Sequence, residues 1–395
     1  MARLFPMLLI ALTSPLLAAD YEFLPVFQNG TGGYNVYRIP AIVQAGNGDL
    51  LAFCEAREGG DASKIDLVMK RSTDAGMSWS QLQVVQAADS FKSLFGENPP
   101  PITAGNPAPV VDQLDPEHPG RIWLPFTLEN DKVFVVYSDD HGATWSPRRE
   151  ITDSVKRENW GWYATGPVHS IQLQRGEHKG RLVVPCDHRL GSGGADRGPC
   201  GGHCIYSDDH GLTWQIGGVD GAYDDDLEPN ETTVVELNDG RLCFNARDQN
   251  GKAPGTRAVV YSNDGGTTFE HQEEGPFPIY QPMGGVIDPP VVQCSLQRMA
   301  STLDGAKANL ILFCGPDENG PSGKGRSDLR LRYSTDEAQT WHDGPLIHTG
   351  PAAYSDMVRL SGDAVGILFE AGKTGTKSYN EIWFVRAEVG SVAGE

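Results

Sequence analysis

Short apolar runs alternate with turn-forming residues along most of the chain. The runs are shorter than a typical buried helix and rich in β-branched and aromatic residues, which is typical of β-strands. The clearest runs are DLLAFCEAR, IDLVMKRS, KVFVVYS, RLVVPC, RAVVYS, LILFCG, LRLRYS and EIWFVRAEV. The chain also contains 47 glycines and 27 prolines, residues that favour turns. The pattern therefore predicts an all-β protein of many short strands.

One ten-residue motif, the Asp box, recurs five times with the consensus S-x-D-x-G-x-[TS]-[WF]. Its copies are RSTDAGMSWS (Arg71–Ser80), YSDDHGATWS (Tyr137–Ser146), YSDDHGLTWQ (Tyr206–Gln215), YSNDGGTTFE (Tyr261–Glu270) and YSTDEAQTWH (Tyr333–His342). An enzyme domain does not usually carry five copies of its catalytic centre. We therefore interpret the box as a turn, in which the aspartate accepts hydrogen bonds from backbone N–H groups and the aromatic residue packs beneath the turn.

The spacing of the Asp boxes predicts a six-bladed β-propeller. Their serines lie 66, 69, 55 and 72 residues apart, which leaves room for several strands between successive boxes. With five boxes in six blades, one blade is expected to lack the motif. The last box has Ala338 where the others have glycine, so we expect its turn to be distorted. No linker is evident, and residues 20–395 are predicted to form a single domain.

The first 19 residues have the features of a secretory signal peptide. Arg3 precedes a largely apolar stretch from Leu4 to Leu17, and the small residues Ala18 and Ala19 would permit cleavage. A buried first strand is the alternative interpretation. Elsewhere no segment approaches the ~18 apolar residues needed to cross a bilayer. We therefore expect a secreted or periplasmic protein with no stable membrane span.

The charge of the chain argues against nucleic-acid binding. With 52 acidic and 32 basic residues, the formal net charge is −20, whereas a phosphate backbone requires a basic surface. An anionic ligand would have to be bound by a local cluster of arginines instead.

The seven cysteines fall into two groups. Five lie in or beside apolar runs and are expected to be buried in strands; they are Cys54, Cys186, Cys243, Cys294 and Cys314. Cys200 and Cys204 flank His203 in the polar stretch PCGGHC, a weak signal for a metal because no partner ligands are evident. A local disulfide or two free thiols is expected there, and neither a metal nor a cofactor is predicted.

Several polar residues interrupt apolar segments, and their surroundings resemble a known family. The segments are YRIP, LLAFCEAR, GNPAP, ETTVVELNDGRL followed by NAR, and SYNEIWF. Together with the Asp boxes, they resemble the exo-α-sialidases (neuraminidases) of bacteria and animals. The resemblance covers about residues 22 to 390. It implies a propeller enzyme that removes terminal sialic acid from glycoproteins, glycolipids or oligosaccharides.

The resemblance also implies roles for individual residues. Three arginines would bind the carboxylate of the sugar: Arg38, Arg247 and Arg326, with Arg330 and Arg332 as alternatives to the third. Asp61 would be the acid/base, with Asp66 as its competitor. Tyr379 would be the nucleophile and Glu231 its partner, with Glu228 and Glu236 nearby.

Further contacts follow from the same resemblance. Arg57 would contact the 4-hydroxyl of the sugar and Asn106 its N-acetyl group, while His188, or alternatively Asp187, would line the glycerol side. Trp160 and Trp162 would either line the aglycone side or pack in the core.

The implied reaction is hydrolysis with retention, without metal or cofactor. Sialidases differ from most retaining glycosidases in using a tyrosine, and a neutral phenol avoids repulsion by the carboxylate on the anomeric carbon. The alternatives are a non-catalytic Asp-box propeller that binds glycans, a trans-sialidase, and a hydrolase of a related nonulosonic acid. Asn29 and Asn230 begin glycosylation sequons, and we expect Asn230 to be unmodified because a glycan there would crowd Glu231.

Overall fold

The computed structural model describes residues 21–251, 255–271, 279–323, 325–373, 375–388 and 390. The predicted signal peptide, residues 1–19, lies outside the described residues. Helical structure in the described ranges comprises one short α-helix, α1 (Thr152–Val155), and the 3-10 helices Ala88–Leu94 and Thr302–Asp304. None of the described helices is both long and apolar enough to span a membrane. The all-β prediction is confirmed.

The described strands form five hydrogen-bonded sheets. Blade 1 contains β2 (Val36–Gln44), β3 (Leu50–Arg57), β4 (Ile65–Ser72) and β5 (Gln83–Gln86). Blade 2 contains β6 (Ala104–Gly105), β7 (Val110–Asp112), β8 (Arg121–Leu128), β9 (Lys132–Ser138) and β10 (Arg149–Glu150). Blade 3 contains β11 (Trp160–Thr165), β12 (Ile171–Gln172), β13 (Leu182–Leu190), β14 (Cys200–Ser207) and β15 (Gln215–Val219). Blade 4 contains β16 (Pro229–Glu236), β17 (Leu242–Asp248), β18 (Arg257–Ser262) and β19 (Gln281–Met283).

The fifth sheet has seven strands and contains two blades. Its strands are β20 (Ser295–Ala300), β21 (Leu310–Pro316), β22 (Ser327–Ser334), β23 (His342–Leu360), β24 (Ala364–Ala371), β25 (Glu381–Glu388) and β1 (Phe23–Gln28). The first half of β23 pairs with β22 as the outer strand of blade 5, and its second half pairs with β24 as the inner strand of blade 6. The six-bladed prediction is therefore confirmed.

The first strand closes the ring. Strand β1 pairs antiparallel with β25, from Phe23 opposite Val385 to Gln28 opposite Glu381, and so forms the outer strand of blade 6. This topology explains why blade 6 lacks an Asp box. In blades 1 to 5 the box connects the last two strands of the blade, but in blade 6 the corresponding strands, β25 and β1, come from opposite ends of the chain.

The hydrophobic core is divided among the contacts between blades. Six clusters of buried side chains occupy the described structure, and five of them combine residues from two neighbouring blades. The sixth lies mainly between blades 4 and 5 and also contains Ile39 of blade 1 and Tyr354 of blade 6. The cluster between blades 6 and 1, for example, contains Val26 from β1, Ala52 from β3 and Leu368 from β24. Because each blade buries its two faces against its neighbours, an open ring would expose apolar surface on its two end blades.

Each Asp box is a hydrogen-bonded turn. In the first box, Ser72 Oγ donates to Asp74 Oδ1 (2.7 Å) and accepts from Gly76 N (2.8 Å). Asp74 Oδ1 also accepts from Ser78 N (2.8 Å), so one carboxylate satisfies both the serine and the backbone. The Ser78 hydroxyl donates to Asp74 Oδ2 at 2.5 Å, and this bond, followed by the bond from Ser72 Oγ, lowers the pKa of Asp74 to about 2.

The prediction that the turn of the last box is distorted is wrong. Ala338 adopts a left-handed φ of 63°, and its N–H still donates to Ser334 Oγ at 2.9 Å. Glycine is needed where the neighbouring blade is closer. A Cβ built on Gly76 would lie 2.0 Å from the Phe384 ring, and one on Gly211 would lie 2.2 Å from Trp123. In the last box the methyl group of Ala338 is buried within the cluster between blades 4 and 5.

The aromatic residue of a box packs against the preceding blade. Trp79 contacts Phe384 of β25 with ring centroids 5.4 Å apart, and Trp145 contacts Phe53 of β3 at 5.8 Å. The boxes therefore join neighbouring blades as well as turning the chain, which supports their interpretation as structural.

We predict that Asp74→Ala lowers the melting temperature by several degrees and leaves the turnover per folded molecule unchanged. Because the folded-state pKa of Asp74, about 2, lies below the unfolded value of about 4, its stabilisation is complete above pH ~4 and is lost as the pH falls toward ~2. Thermal unfolding of both proteins across this range checks the prediction. Asp153→Ala, at an exposed aspartate of α1, is the control. A difference in melting temperature that persists unchanged at pH ~2 would contradict the role of the carboxylate.

Candidate active site

Several of the residues singled out in the sequence meet at one mouth of the central channel. Arg38 lies near the start of β2, Glu231 near the start of β16, and Tyr354 where β23 becomes the inner strand of blade 6. The opposite ends of the inner strands surround a cavity of about 490 Å³ that includes Gln44 and Glu236 in its lining. The inner strands therefore separate two openings, and the reactive side chains belong to the first.

Glu231 forms a compact group with a tyrosine and an arginine. Its Oε1 accepts a short hydrogen bond from the hydroxyl of Tyr354, and its Oε2 accepts from Arg247 Nη1 at 2.8 Å. The same Arg247 Nη1 donates to the Tyr354 hydroxyl at 3.1 Å. Burial and then the charge of Glu231 raise the pKa of Tyr354 far above its ordinary value, so the phenol is neutral.

This group corrects one expectation from the sequence. Glu231 was expected to pair with Tyr379, but the hydroxyl that it contacts belongs to Tyr354. Tyr379 instead lies between two arginines: its hydroxyl accepts from Arg326 Nη1 at 2.7 Å, and its ring centroid lies 4.0 Å from Arg38 Cζ. The available signal was a tyrosine within the apolar stretch PAAYSDMV, which is weak because a tyrosine in a strand needs no functional explanation.

Arg326 is distinguished from its two alternatives by position. Its Cζ lies 5.6 Å from the ring centroid of Tyr354, within the same group. Arg330 instead pairs with Asp317 at 2.5 Å, and Arg332 is fully buried beside Asp288. Arg326 is therefore the arginine that this mouth of the channel brings together with Arg38 and Arg247.

Arg38 is held by a buried carboxylate that sequence reasoning missed. Glu370 on β24 is fully buried, and its Oε1 accepts from Arg38 Nε (2.5 Å) and from the backbone N of Ile39 (2.9 Å). Ile39 has a φ of 62° at a register shift between Arg38 and Ala41, an unfavourable conformation for a β-branched residue. Burial lowers the pKa of Arg38, but Glu370 outweighs it and raises the pKa above the ordinary value.

Asp61 lies at the rim beside Arg57. Its Oδ1 accepts a short hydrogen bond from Arg57 Nη1, and its side chain is 87% exposed. Partial burial raises the pKa of Asp61, but the charge and hydrogen bond of Arg57 outweigh it, so the pKa lies below its ordinary value. The competitor Asp66 is occupied in the scaffold, since its oxygens accept from the Tyr34 hydroxyl (2.6 Å) and from Ala88 N (2.7 Å).

Comparisons with known proteins identify the family of the chain. The sequence profile of the BNR repeat-like domain family matches residues 40–367. A sialidase from Micromonospora viridifaciens is 30% identical over 377 residues, which cover 90% of this chain and 53% of that protein. The chain belongs to the sialidase family. It thus spans about half the length of this relative.

Solved structures of sialidases share the fold. The Hadza microbial sialidase Hz136 matches with a TM-score of 0.75 and 26% identity over 94% of this chain and 69% of that one. The leech intramolecular trans-sialidase matches with a TM-score of 0.71 and 19% identity over 94% of this chain and 71% of that one. The six-bladed arrangement is therefore shared with enzymes of this family.

A second buried carboxylate, Glu55, supports the rim of this sialidase-family site. Its Oε2 accepts from Arg57 Nε (2.9 Å) and Nη2 (2.5 Å), and its Oε1 accepts from Asn106 N (2.9 Å). Asn106 has a left-handed φ of 56°, and its side-chain amide donates to Thr127 Oγ1 at 2.9 Å. Glu55 therefore orients two predicted contact residues, although its place within LLAFCEAR gave no sign of this role.

His188 does not reach the mouth of the channel, which corrects another expectation. It is fully buried, stacked on Trp160 with ring centroids 3.9 Å apart, and bonded to His203 (3.1 Å) and the Tyr223 hydroxyl (2.6 Å). Burial and then His203 lower its pKa well below the ordinary value. Trp160, against which His188 stacks, belongs to the buried cluster between blades 2 and 3. Of the two interpretations of Trp160, the structure therefore supports packing in the core.

The alternative to His188, Asp187, is also fully buried, and its Oδ2 accepts from Asn230 Nδ2 at 2.9 Å. Asn230 is only 8% exposed, which agrees with the expectation that its sequon is unmodified.

The cysteines are thiols. All seven are buried, and none forms a disulfide. Cys200 and Cys204, for which a disulfide or two free thiols was expected, are therefore free thiols. Burial raises the pKa of each of these two to about 12, so neither is a reactive thiolate. His203, which lies between them in the sequence, is hydrogen-bonded through its Nδ1 to His188.

We predict that Glu370→Ala destabilises the protein by about 3–5 kcal/mol, because it leaves the largely buried charge of Arg38 without its partner. Denaturant unfolding of the single variants and of Arg38→Ala/Glu370→Ala measures the coupling. The double variant is expected to be less destabilised than the sum of the single variants. Additive effects would show that the pair does not act as a unit.

Proposed function

We propose that this sialidase-family protein is an exo-α-sialidase that hydrolyses terminal sialic acid from glycoconjugates with retention. The observation that carries the proposal is the pair of Tyr354 and Glu231, set among Arg38, Arg247 and Arg326 at one mouth of the channel. From the first 19 residues, we further propose that the protein is exported.

The three arginines suit a substrate whose carboxylate is attached to the reacting carbon. Guanidinium groups remain charged and can bind a carboxylate through two parallel hydrogen bonds. Arg38 and Arg247 are each oriented by an acidic partner, and Arg326 approaches from blade 5. Together they would fix the anomeric carbon of the sugar beside the Tyr354 hydroxyl.

Tyr354 is the better candidate for the nucleophile because its base is already in contact. As the Tyr354 oxygen attacks the anomeric carbon, Glu231 would take the phenolic proton. Arg247 contacts both groups and would stabilise negative charge that develops on the phenolic oxygen. This assignment replaces Tyr379, whose hydroxyl accepts a hydrogen bond from Arg326.

Asp61 would serve as the acid and then as the base. It would protonate the departing glycosidic oxygen, and in the second step take a proton from the water that breaks the tyrosyl–sugar bond. Its exposure at the rim supports this role, since an aglycone and then water must both reach it. Arg57 would contact the 4-hydroxyl of the sugar.

Two other functions remain as alternatives. Transfer of the sugar to a hydroxyl group would use the same residues, and the leech intramolecular trans-sialidase shares the fold. A related nonulosonic acid would likewise use the same arginines. A purely glycan-binding propeller is disfavoured, because it has no need for a carboxylate bonded to a buried phenol.

We predict that Tyr354→Phe lowers the release of an aryl group from an aryl α-sialoside by about a thousandfold or more, without unfolding the protein. Fluorescence of the released phenol measures the rate. Proton NMR of the wild-type reaction should detect the α-anomer of the free sugar first. If Tyr354→Phe retained wild-type turnover while Tyr379→Phe lost it, the nucleophile would be Tyr379.

We also predict proton uptake when a sialoside binds. In the free protein Arg57 keeps Asp61 ionised, whereas a bound anion would offset Arg38 and Arg326 and the aglycone would cover Asp61. Both effects raise the pKa of Asp61, so the affinity should fall as the pH rises through its bound-state value. Calorimetry with the inactive Tyr354→Phe variant, at mildly acidic pH in two buffers of different ionisation enthalpy, measures the uptake. Asp61→Asn in the same background should abolish it, and equal uptake there would contradict the assignment.

A further inference from the structure

Tyr379 separates two of the three arginines. The face of its ring lies against the guanidinium of Arg38, whose Cζ is 4.0 Å from the ring centroid, and its hydroxyl accepts from Arg326 Nη1 at 2.7 Å. A cation is attracted to the face of an aromatic ring and a hydroxyl oxygen accepts a charged donor, so both contacts are favourable. One neutral side chain thus sets the distance between two positive charges.

Arg326 depends on its hydrogen bond to the Tyr379 hydroxyl, because it lacks the acidic partner that orients each of the other two arginines among the described residues. Arg38 pairs with Glu370 and Arg247 pairs with Glu231, but the ion pairs found among the described residues include none for Arg326. Its second anchor is a hydrogen bond from Nη2 to the Val291 carbonyl at 3.0 Å. Because both of its anchors are neutral, its full charge is available to an anion.

Tyr379 is itself held in place from the first blade and the closing strand. Asn29 follows β1, and its Nδ2 donates to the Tyr379 carbonyl at 2.7 Å while its Oδ1 accepts from Tyr37 N at 2.9 Å. Ser378 Oγ donates to the Arg326 carbonyl at 2.8 Å. The segment that carries Tyr379 is therefore tied to the backbone of Arg326 and, through Asn29, to the residue before Arg38.

We propose that Tyr379 is a positioning residue that fixes the spacing and orientation of Arg38 and Arg326 for the carboxylate of the substrate. The inference rests on the proposed function. A carboxylate at position 379 would orient Arg326 equally well, but it would compete with the substrate for the same charge. A phenol orients the guanidinium and leaves that charge uncompensated, which favours binding of an anion.

The test separates this role from that of a nucleophile. Tyr379→Phe keeps the ring against Arg38 and removes the acceptor for Arg326. We expect KM for an aryl α-sialoside to rise about tenfold, with kcat changed by less than about threefold, since the lost interaction acts on binding. Tyr379→Leu, which also removes the aromatic face, should raise KM further. The affinity for N-acetylneuraminic acid, measured by calorimetry, should fall in parallel.

A second background shows whether the effect passes through Arg326. In Arg326→Ala, adding Tyr379→Phe should cause no additional change in KM or affinity, because the hydroxyl has lost its partner. The matched control is Tyr137→Phe, since Tyr137 stacks on Arg121 with Cζ 4.2 Å from its ring centroid in an Asp box remote from the site. This control should leave both constants unchanged.

Each contrary outcome has a distinct meaning. A large loss of kcat at unchanged KM in Tyr379→Phe would make Tyr379 a catalytic residue and overturn the inference. An equal effect in the wild-type and Arg326→Ala backgrounds would also overturn it, since Tyr379 would then act independently of Arg326. If wild-type protein released no aryl group, the proposed function would fail. The inference would then be decided by the affinity for N-acetylneuraminic acid alone. It would be overturned if wild type did not bind this sugar, or if wild type and Tyr379→Phe bound it equally well.

Discussion

The structure depends on closure of the ring by β1. This strand completes blade 6 by pairing with β25, and the cluster that it helps to form joins blade 6 to blade 1. The same closure assembles the site, because Arg38 of blade 1 pairs with Glu370 of blade 6, a residue 332 positions away in sequence. A chain that failed to close would lose the fold and the alignment of the arginines together.

The site gathers three arginines at the mouth of a channel in a protein with a net charge of −20. Each arginine that faces the mouth is oriented differently: Arg38 by a buried carboxylate, Arg247 by the carboxylate that also contacts Tyr354, and Arg326 by a phenol and a carbonyl. Partners of this kind hold the guanidinium groups in place before a ligand arrives. A pre-organised site of this kind reduces the cost of ordering side chains on binding.

Much of the fold could be predicted from local patterns. The strand runs and the repeated Asp box depend on residues close together in sequence, so all-β structure and six blades follow from them. Local patterns could not show that blade 6 is the blade without a box, because its outer strand comes from the other end of the chain. The need for glycine in a box likewise depends on the neighbouring blade, which brings an aromatic ring against Gly76 and Gly211.

Local sequence patterns predict the strands and the Asp-box turns, and the resemblance to the exo-α-sialidases implies that Arg38, Arg247 and Arg326 bind an anion. The partners of these side chains became evident only in the folded chain. It brought Tyr354 to Glu231, set Tyr379 between two arginines and buried His188 against Trp160. Local sequence could not distinguish these outcomes, because a tyrosine or histidine in a strand has the same neighbours in sequence whether it faces the channel or the core. The face is set by register, by the bulge at Arg38 and by contacts between distant blades.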